Sequence, residues 1–311
     1  MPDALSPTSD AAPPAGPAAV LPGMPLGDLP LDPRTQAVVV AAGVGPLTAL
    51  HHAPDGPPAG VVLVVPGYTG TKEDHRLLLP ELARLGWDAW TYSQRGQGDS
   101  TGPDGEDGYG MDLLADDVAE VARAVLAASG TGATQVHLVG HSFGGLVARA
   151  AVVAHPELFA TVTLLCSGPH GWEGRKAEER EMLLANPHVD LWRLTNPQRA
   201  HLPDDDLPPF DAFLRLRAEL THHDQLLAAI DHLADLTDRT EELAATGVPA
   251  AVVFGEHDDA WPQEWQRAMA ARLGAPVVVV PGTGHCPNED DAPSTAAVLD
   301  AFWRGTSGLA S

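Results

Sequence analysis

One serine in this 311-residue chain stands in a setting that suits nucleophilic chemistry. Ser142 is the centre of Gly140-His141-Ser142-Phe143-Gly144, a G-x-S-x-G pattern that follows the apolar run Val136 to Val139. A helical pattern runs from Leu146 to Ala154, so the sequence predicts a tight strand-to-helix turn with the serine at its corner. Such a corner strains the backbone by about 1–3 kcal/mol and places the hydroxyl above a helix N-terminus, which favours negative charge. The alternative is an ordinary turn in which Ser142 only caps the helix.

A serine hydroxyl needs a base within hydrogen-bond reach, and that base needs an orienting carboxylate. His285 lies in a glycine-rich loop just after the predicted strand APVVVV. Because that strand brings the loop to the same sheet edge as Ser142, His285 is the candidate general base. A second predicted strand, PAAVVFG, is followed by three candidate carboxylates: Glu256, Asp258 and Asp259.

Two neighbours of these residues invite other assignments. His141 adjoins Ser142, but adjacent side chains on a tight turn diverge, so we assign His141 to packing or to a backbone hydrogen bond. Cys286 adjoins His285 but has neither a strained corner nor a base of its own, so we interpret it as a bystander. The other histidines show no metal-ligand spacing, and the sequence predicts no metal site.

Strands and helices alternate along most of the chain, which indicates a parallel sheet with helices on both faces. TQAVVVAAGVGPLTALHHAP predicts a hairpin around Gly43 to Gly45, and Gly60-VVLVV-Pro66 predicts a fully buried parallel strand. Further strands are predicted at WDAWTY, QVHLVG, ATVTLLC, PAAVVFG and APVVVV, and helices over 74–85, 111–128, from 142, over 261–273 and over 294–303. The predicted fold class is therefore α/β, with a mostly parallel central sheet.

Two stretches depart from this alternation. Residues 1–33 are rich in proline and alanine with few large apolar side chains, so we expect a flexible tail. Residues 170–246 contain no convincing strand and read as several amphipathic helices, too long for a simple connection. The predicted organisation is a core of residues 34–169 and 247–311 with a helical cap inserted at 170–246.

With these motifs in place, the chain resembles the α/β-hydrolase family from about Val38 to Arg304, with the insertion in the place of that family's cap or lid. Residues 64–70, VVPGYTG, resemble the family's oxyanion loop, with Pro66 where a histidine is usual and the following glycine kept. Residues 93–100, SQRGQGDS, resemble a D-x-R-G-x-G-x-S loop in which serine replaces the first aspartate.

The resemblance also implies roles for individual residues. It favours Asp258 as the acid, because the family pattern G-x-x-D-x-x-x-P aligns with residues 255–262, and it leaves Asp259 as the alternative. It supports His285 as the base, because a G-x-G-H segment followed by proline matches the family. It implies that the backbone N–H groups of Tyr68 and Phe143 bind the oxyanion.

The function implied is a serine hydrolase that cleaves a carboxylic ester through an acyl-enzyme on Ser142, of the carboxylesterase, acylglycerol lipase or thioesterase type. Such chemistry needs no metal or organic cofactor. The cap aromatics Trp172, Trp192, Phe210 and Phe213 are interpreted as an apolar pocket or, more simply, as the small core of the cap. Two other functions stay open: an aminopeptidase or C–C bond hydrolase of the same fold, and a non-catalytic ligand-binding protein.

The composition and net charge of the chain disfavour some classes of binding partner. The chain carries 18 Lys and Arg against 42 Asp and Glu, a formal charge of −24, which disfavours nucleic acid and anionic membrane surfaces as partners. Two cysteines make no disulfide framework, and neither a secretory signal nor an apolar run of membrane-spanning length is expected. We therefore expect a cytoplasmic protein that acts on a small-molecule ester or acyl substrate; the oligomeric state stays open.

Overall fold

A central sheet of nine strands runs through the part of the chain that the structure, a computed structural model, describes, residues 19–307. The strands are β1 (Val20–Pro22), β2 (Gln36–Ala42), β3 (Gly45–His52), β4 (Gly60–Val65), β5 (Trp87–Tyr92), β6 (Val136–His141), β7 (Phe159–Leu165), β8 (Ala250–Gly255) and β9 (Val277–Val280). Their order is β1-β2-β3-β5-β4-β6-β7-β8-β9. Pairing is antiparallel from β1 as far as β5 and parallel from β5 to β9.

The middle strands are buried on both faces. All side chains from Val61 to Val65 on β4 have no exposed surface, although alternate residues point to opposite faces. This burial explains why the strand reads as a continuous apolar run instead of an alternating one. It also confirms the prediction of a mostly parallel sheet covered by helices on both faces.

The α-helices are α1 (Leu78–Arg84), α2 (Met111–Ser129), α3 (Phe143–Ala154), α4 (Ala177–Ala185), α5 (Leu191–Thr195), α6 (Pro209–Leu220), α7 (His223–Ala234), α8 (Thr240–Ala245), α9 (Gln263–Leu273), α10 (Pro287–Asp290) and α11 (Ala292–Ser307). Short 3-10 turns lie at Lys72–His75, Glu106–Tyr109, Pro156–Leu158 and Asp204–Asp206. The single helix predicted over 74–85 is instead a 3-10 turn followed by α1. Pro80 explains the break, because proline is tolerated only in the first turn of a helix.

The insertion forms a layer of its own. Helices α4 to α7 lie within it, and the backbone N–H of Gly171 donates to the carbonyl of Asp235 at 2.8 Å, which joins its two ends. Helix α8, which the sequence assigned to the cap, packs instead against α3 and α9 of the core. The last part of the predicted 170–246 insertion therefore belongs to the core, because α8 connects the cap to β8.

The predicted flexible tail is wrong for its second half. Strand β1 pairs with β2, the Leu26 side chain is 5% exposed, and its N–H donates to Glu73 Oε1 at 2.8 Å. A few apolar side chains suffice here because β2 already offers an unpaired edge to which a short strand can bond. Residues 1–18 of the predicted tail lie outside the described residues.

Within residues 19–307, no helix is both long enough and apolar enough to cross a membrane.

Candidate active site

Ser142 occupies the predicted corner between β6 and α3. Its backbone has φ 55° and ψ −122°, a conformation that residues other than glycine rarely adopt. The flanking glycines make this turn possible: a Cβ on Gly140 would lie 2.4 Å from the Gly144 carbonyl oxygen, and a Cβ on Gly144 would lie 2.4 Å from that of Val65. Both distances are far inside van der Waals contact, so the motif glycines are a steric requirement of the corner.

The structure brings Ser142, His285 and Asp258 together at the carboxyl edge of the sheet. The distance from His285 Nε2 to Ser142 Oγ is 2.9 Å, and from His285 Nδ1 to Asp258 Oδ1 it is 2.8 Å. Ser142 follows β6, Asp258 follows β8 and His285 follows β9, so parallel strands deliver all three to one edge. Asp259 is exposed, and it is Asp258, not Asp259, that bonds to His285.

Asp258 is held in its ionised form by its hydrogen bonds. Its side chain has no exposed surface, and burial alone would raise its pKa. The bonds from His285, from Gln266 Nε2 at 2.8 Å and from the Ala260 N–H at 3.1 Å outweigh burial and lower the pKa of Asp258 below its ordinary value. The sequence analysis missed Gln266, because no motif marks it. Its role as a hydrogen-bond donor to Asp258 follows only from its position in the first turn of α9.

His141 does not face the serine hydroxyl. Its Nε2 donates to the backbone carbonyl of His285 at 2.8 Å, which is the backbone hydrogen bond expected for it. Burial lowers the pKa of His141 to about 4, so its ring stays neutral at pH 7. His141 therefore fixes the loop that carries the candidate base.

The two cysteines are poor nucleophiles in this environment. Burial raises the pKa of Cys286 to about 12 and raises that of Cys166 well above its ordinary value. Possible ligand atoms of Cys166, His141 and His285 lie within 4.8 Å of one another. A soft metal ion could use these three atoms only by competing with the hydrogen bonds that His285 and His141 already make.

The loop after β4 passes directly beside the serine. A Cβ on Gly67 would lie 3.1 Å from the Ser142 Cβ, a tight contact that glycine avoids. Gln97 Nε2 donates to the Gly67 carbonyl at 2.8 Å, and Gln94 Nε2 donates to that of Pro66 at 2.9 Å. The two glutamines belong to the SQRGQGDS loop, and they brace the predicted oxyanion loop in a way that the sequence did not reveal.

Tyr68 and Phe143 each follow one of the two residues in this contact, Tyr68 after Gly67 and Phe143 after Ser142. The Tyr68 ring packs against an apolar cluster of the cap, which consists of Leu183, Leu191, Leu226, Leu227 and Ile230. Phe143 is fully buried and is the first residue of α3. The first N–H groups of a helix have no partner within that helix, so the Phe143 N–H is available to a ligand.

A cavity of about 260 Å³ lies next to the predicted oxyanion loop, between α5 and α6 of the cap. Thr69, the residue after Tyr68, forms part of its wall, together with the apolar side chains of Leu191, Trp192, Leu214 and Leu226. Its two arginines are paired with carboxylates: Arg199 with Asp211 at 2.8 Å, and Arg217 with Asp74 at 2.7 Å. The cavity is therefore lined mainly by apolar side chains, and the charges of the two arginines in its wall are neutralised by carboxylates.

Comparison with known proteins places the chain in the alpha/beta hydrolase family, whose model matches residues 61–298. The protein belongs to this family, and the sheet order and the strand-to-helix corner described above agree with it.

Two proteins of similar sequence and one of similar structure illustrate what this chain resembles. "Putative carbamate hydrolase RutD" of Pantoea ananatis is 27% identical over 207 residues, which cover 62% of this chain and 70% of the relative. A triacylglycerol lipase of Pseudarthrobacter phenanthrenivorans is 44% identical over 70 residues, which cover 22% of this chain and only 20% of the lipase. A hydrolase from Pseudomonas aeruginosa PA01 superposes with a TM-score of 0.66 at 21% identity, over 86% of this chain and 97% of that structure. That structural likeness concerns the fold.

Proposed function

We propose that the protein is a serine hydrolase that cleaves a carboxylic ester through an acyl-enzyme on Ser142. The observation that carries the proposal is the continuous hydrogen-bonded path from Ser142 Oγ through the His285 ring to the buried Asp258, with distances of 2.9 and 2.8 Å. In this path one hydroxyl has a base within reach, and that base has an ionised orienting group.

The acylation half-reaction uses these groups in sequence. Ser142 Oγ attacks the ester carbonyl carbon while His285 Nε2 accepts the hydroxyl proton, and Asp258 stabilises the imidazolium that forms. The tetrahedral intermediate then collapses, its bond to the alcohol oxygen breaks, and His285 returns the proton to that leaving group. In the deacylation half-reaction a water gives its proton to His285, attacks the acyl-enzyme and releases the acid, and Ser142 regains its proton.

Two backbone N–H groups stabilise the oxyanion in this proposal, those of Tyr68 and Phe143. The support is the close passage of the Gly67 backbone beside Ser142 and the free helix N-terminus at residue 143. One such donor is typically worth about 3–4 kcal/mol of activation free energy. Gln97 holds the Gly67 carbonyl and therefore fixes the orientation of the peptide that carries the Tyr68 N–H.

The apolar cavity beside Thr69 is the proposed site for the acyl chain or the alcohol. Its volume of about 260 Å³ suits a small to medium apolar group, since a water-sized group fills about 30 Å³. We propose a substrate with an uncharged apolar chain, because the arginines in the wall already have carboxylate partners.

The test is burst kinetics with nitrophenyl esters of increasing acyl length. The expected result is a burst of about one nitrophenol per protein, labelling by a fluorophosphonate, and loss of both in Ser142→Ala, with kcat lower by at least about 10⁴-fold. Ser129→Ala, at the far end of α2, is the matched control and should keep both. Absence of a burst and of labelling in the unmodified protein would refute the proposal.

A second candidate is hydrolysis of a carbamate, which the similarity to the carbamate hydrolase favours. The same nucleophile and base would serve, but the leaving group would differ. Comparing kcat/KM for an ester and for a carbamate with the same acyl-side group decides between them. A prolyl anilide and a C–C bond substrate in the same panel test the aminopeptidase and C–C hydrolase alternatives.

A further inference from the structure

A second cavity, lined by none of the candidate catalytic residues, lies where the cap joins the core. It has a volume of about 120 Å³ and shares no lining residue with the larger cavity. Its wall combines Leu146 and Arg149 from α3, His170 and Gly171 from the start of the cap, and Asp235 and Arg239 from its end. Both ends of the insertion and the helix that follows Ser142 therefore meet around one space.

Arg149 is the unusual member of this wall. It is 3% exposed, and over residues 19–307 its guanidinium forms no ion pair with a carboxylate, unlike those of the buried Arg95 and Arg215. Its hydrogen bond in this range goes from Nη1 to the sulfur of Met269, at 3.9 Å, and sulfur is a weak acceptor. Burial lowers the pKa of Arg149 to about 10, so the side chain is still a cation at pH 7. A buried cation without an anion is costly, and proteins rarely keep one without a use for it.

The charged neighbours of Arg149 are already paired with one another. Arg239 donates to Glu242 at 2.7 Å, and Arg272 donates to Asp238 at 2.5 Å and to Glu241 at 2.9 Å. These carboxylates are held by exposed or half-exposed arginines and act on Arg149 only through space.

One carboxylate does line the cavity, that of Asp235. It is exposed, and its Oδ1 accepts hydrogen bonds from the N–H and the hydroxyl of Thr237 at 2.9 and 2.8 Å. It therefore lies at the solvent side of the cavity, whereas Arg149 is at the buried side.

We propose that this cavity binds a small oxyanion, of the size of phosphate or a short carboxylate, with the Arg149 guanidinium as its main partner. Arginine matches such anions because its planar fork can donate two parallel hydrogen bonds to two oxygens. A volume of about 120 Å³ holds about four water-sized groups, which is enough for one such anion. The chain as a whole, at −24, repels anions, so binding here depends on this local cation.

Because of the position of the site, a bound anion would connect the cap to the core. It contacts α3, whose first residue follows Ser142, and both ends of the cap insertion. The bound anion would fix the cap to the helix that begins at the candidate nucleophile. The proposal concerns binding and does not depend on the proposed reaction, so its failure and that of the ester hydrolase proposal are separate results.

The test measures binding of inorganic phosphate to the full chain, by calorimetry and by thermal unfolding, at pH 7 and constant ionic strength set with NaCl. We expect saturable binding, with a Tm rise of roughly 5 °C at a hundred times Kd. Propionate in place of phosphate distinguishes a carboxylate ligand from a phosphate ligand. The proposal is overturned if neither anion gives a saturable response.

Arg149→Met provides the decisive comparison, because methionine fills the space without the charge. We expect this variant to lose the saturable response, to keep only the shallow general effect of phosphate as a salt, and to match or exceed the unmodified protein in Tm without added anion. An unchanged response in Arg149→Met, or a Tm more than about 5 °C lower in anion-free buffer, would overturn the proposal, since the second result would reveal a structural partner for the arginine.

Two further variants serve as a control and as an alternative to Arg149→Met. Arg272→Met removes a neighbouring cation that is 39% exposed and already paired, and it should bind phosphate like the unmodified protein. If Arg149→Met does not fold, Arg149→Lys decides: loss of the fork with the charge kept should weaken Kd at least threefold, and an unchanged Kd would contradict the assignment of Arg149.

Discussion

At the scale of single residues, the candidate site is a set of side chains whose positions are fixed by neighbours that do no chemistry. Ser142 is held in a rare backbone conformation by glycines on both sides. His285 is held at its ring by Asp258 and at its carbonyl by His141. The constrained backbone of Ser142 and the hydrogen bonds of His285 both limit the motion of these side chains. If the two residues react as proposed, less conformational entropy is then lost on reaching the transition state.

Gln266 offers a residue-scale prediction, because it donates to the Asp258 oxygen that does not touch His285. Gln266→Leu leaves that buried oxygen without its partner, and a hydrogen bond to a charged group is worth about 1.5–3 kcal/mol. We expect kcat/KM to fall roughly ten- to hundredfold, with the loss in kcat and not in KM. Steady-state kinetics on a nitrophenyl ester measure this.

The control for this prediction is Gln263→Leu, one turn earlier in α9, where the amide bonds only backbone carbonyls. The pH dependence of Tm separates the two variants further. Because the folded-state pKa of Asp258 is lowered, its ionised form contributes stability above about pH 4, which is lost as the pH falls through the folded pKa. In Gln266→Leu that loss should begin at a higher pH than in Gln263→Leu; identical pH profiles would deny Gln266 its role.

At the scale of elements, the sheet explains why three residues far apart in the chain meet. Strands β6, β8 and β9 run parallel, and each ends at the same edge just before a candidate site residue. Helix α9 adds Gln266 to this edge, and the SQRGQGDS loop adds Gln94 and Gln97, which bond to the predicted oxyanion loop. The rigid elements therefore set the positions of the loops, and the loops carry most of the candidate site residues.

Leu26 gives an element-scale prediction, because it anchors the segment between β1 and β2 to the core. Its side chain is 5% exposed, and Leu26→Ala should lower the free energy of unfolding by about 2–4 kcal/mol through the lost burial and the cavity left behind. Urea denaturation measures it. Met24→Ala, two residues away and 77% exposed, is the matched control and should change stability by less than about 0.5 kcal/mol. Equal effects in the two variants would mean that this segment does not pack as described.

The sequence predicted the elements that have strong local signals and missed those that depend on contacts. Buried strands such as β4 and the corner at Ser142 follow from apolar runs and motif glycines, and the α/β fold follows from their alternation with helices. Strand β1 was missed, because three residues, Val20–Pro22, carry no periodicity and are defined only by the edge of β2. The end of the cap was misplaced for the same reason: α8 looks like any short helix until its packing on α3 and α9 is seen.

The site shows the same division. Ser142, Asp258 and His285 could be chosen from motifs, and the structure places them in hydrogen-bond contact. Gln266, Gln97 and Arg149 could not, since polar residues on helices and loops are usually solvated, and only burial and partners distinguish them. The roles proposed for Tyr68 and Phe143 depend on backbone groups, for which side-chain identity is a weak guide.

At the scale of the whole molecule, charge is the dominant feature. A formal charge of −24 over 311 residues means that repulsion among carboxylates opposes the compact state. We expect Tm to rise as NaCl increases from about 0.01 M to about 1 M, because the screening length falls from roughly 30 to 3 Å. Thermal unfolding by circular dichroism measures this.

A test of the cause is to repeat the salt series near pH 5, where more carboxylates are protonated and the salt effect should shrink. A Tm that falls with salt at pH 7 would mean that the ion pairs, such as the buried one between Arg95 and Asp117, outweigh the net repulsion.

The hydrogen bond between Gly171 and Asp235 has a consequence for how this protein can change. The cap leaves and re-enters the core at neighbouring points, while Ser142, Asp258 and His285 all belong to the core. Insertions whose ends lie side by side can be lengthened, shortened or exchanged without displacing their host. Selection, or a protein engineer, can therefore replace the cap without moving Ser142, Asp258 or His285.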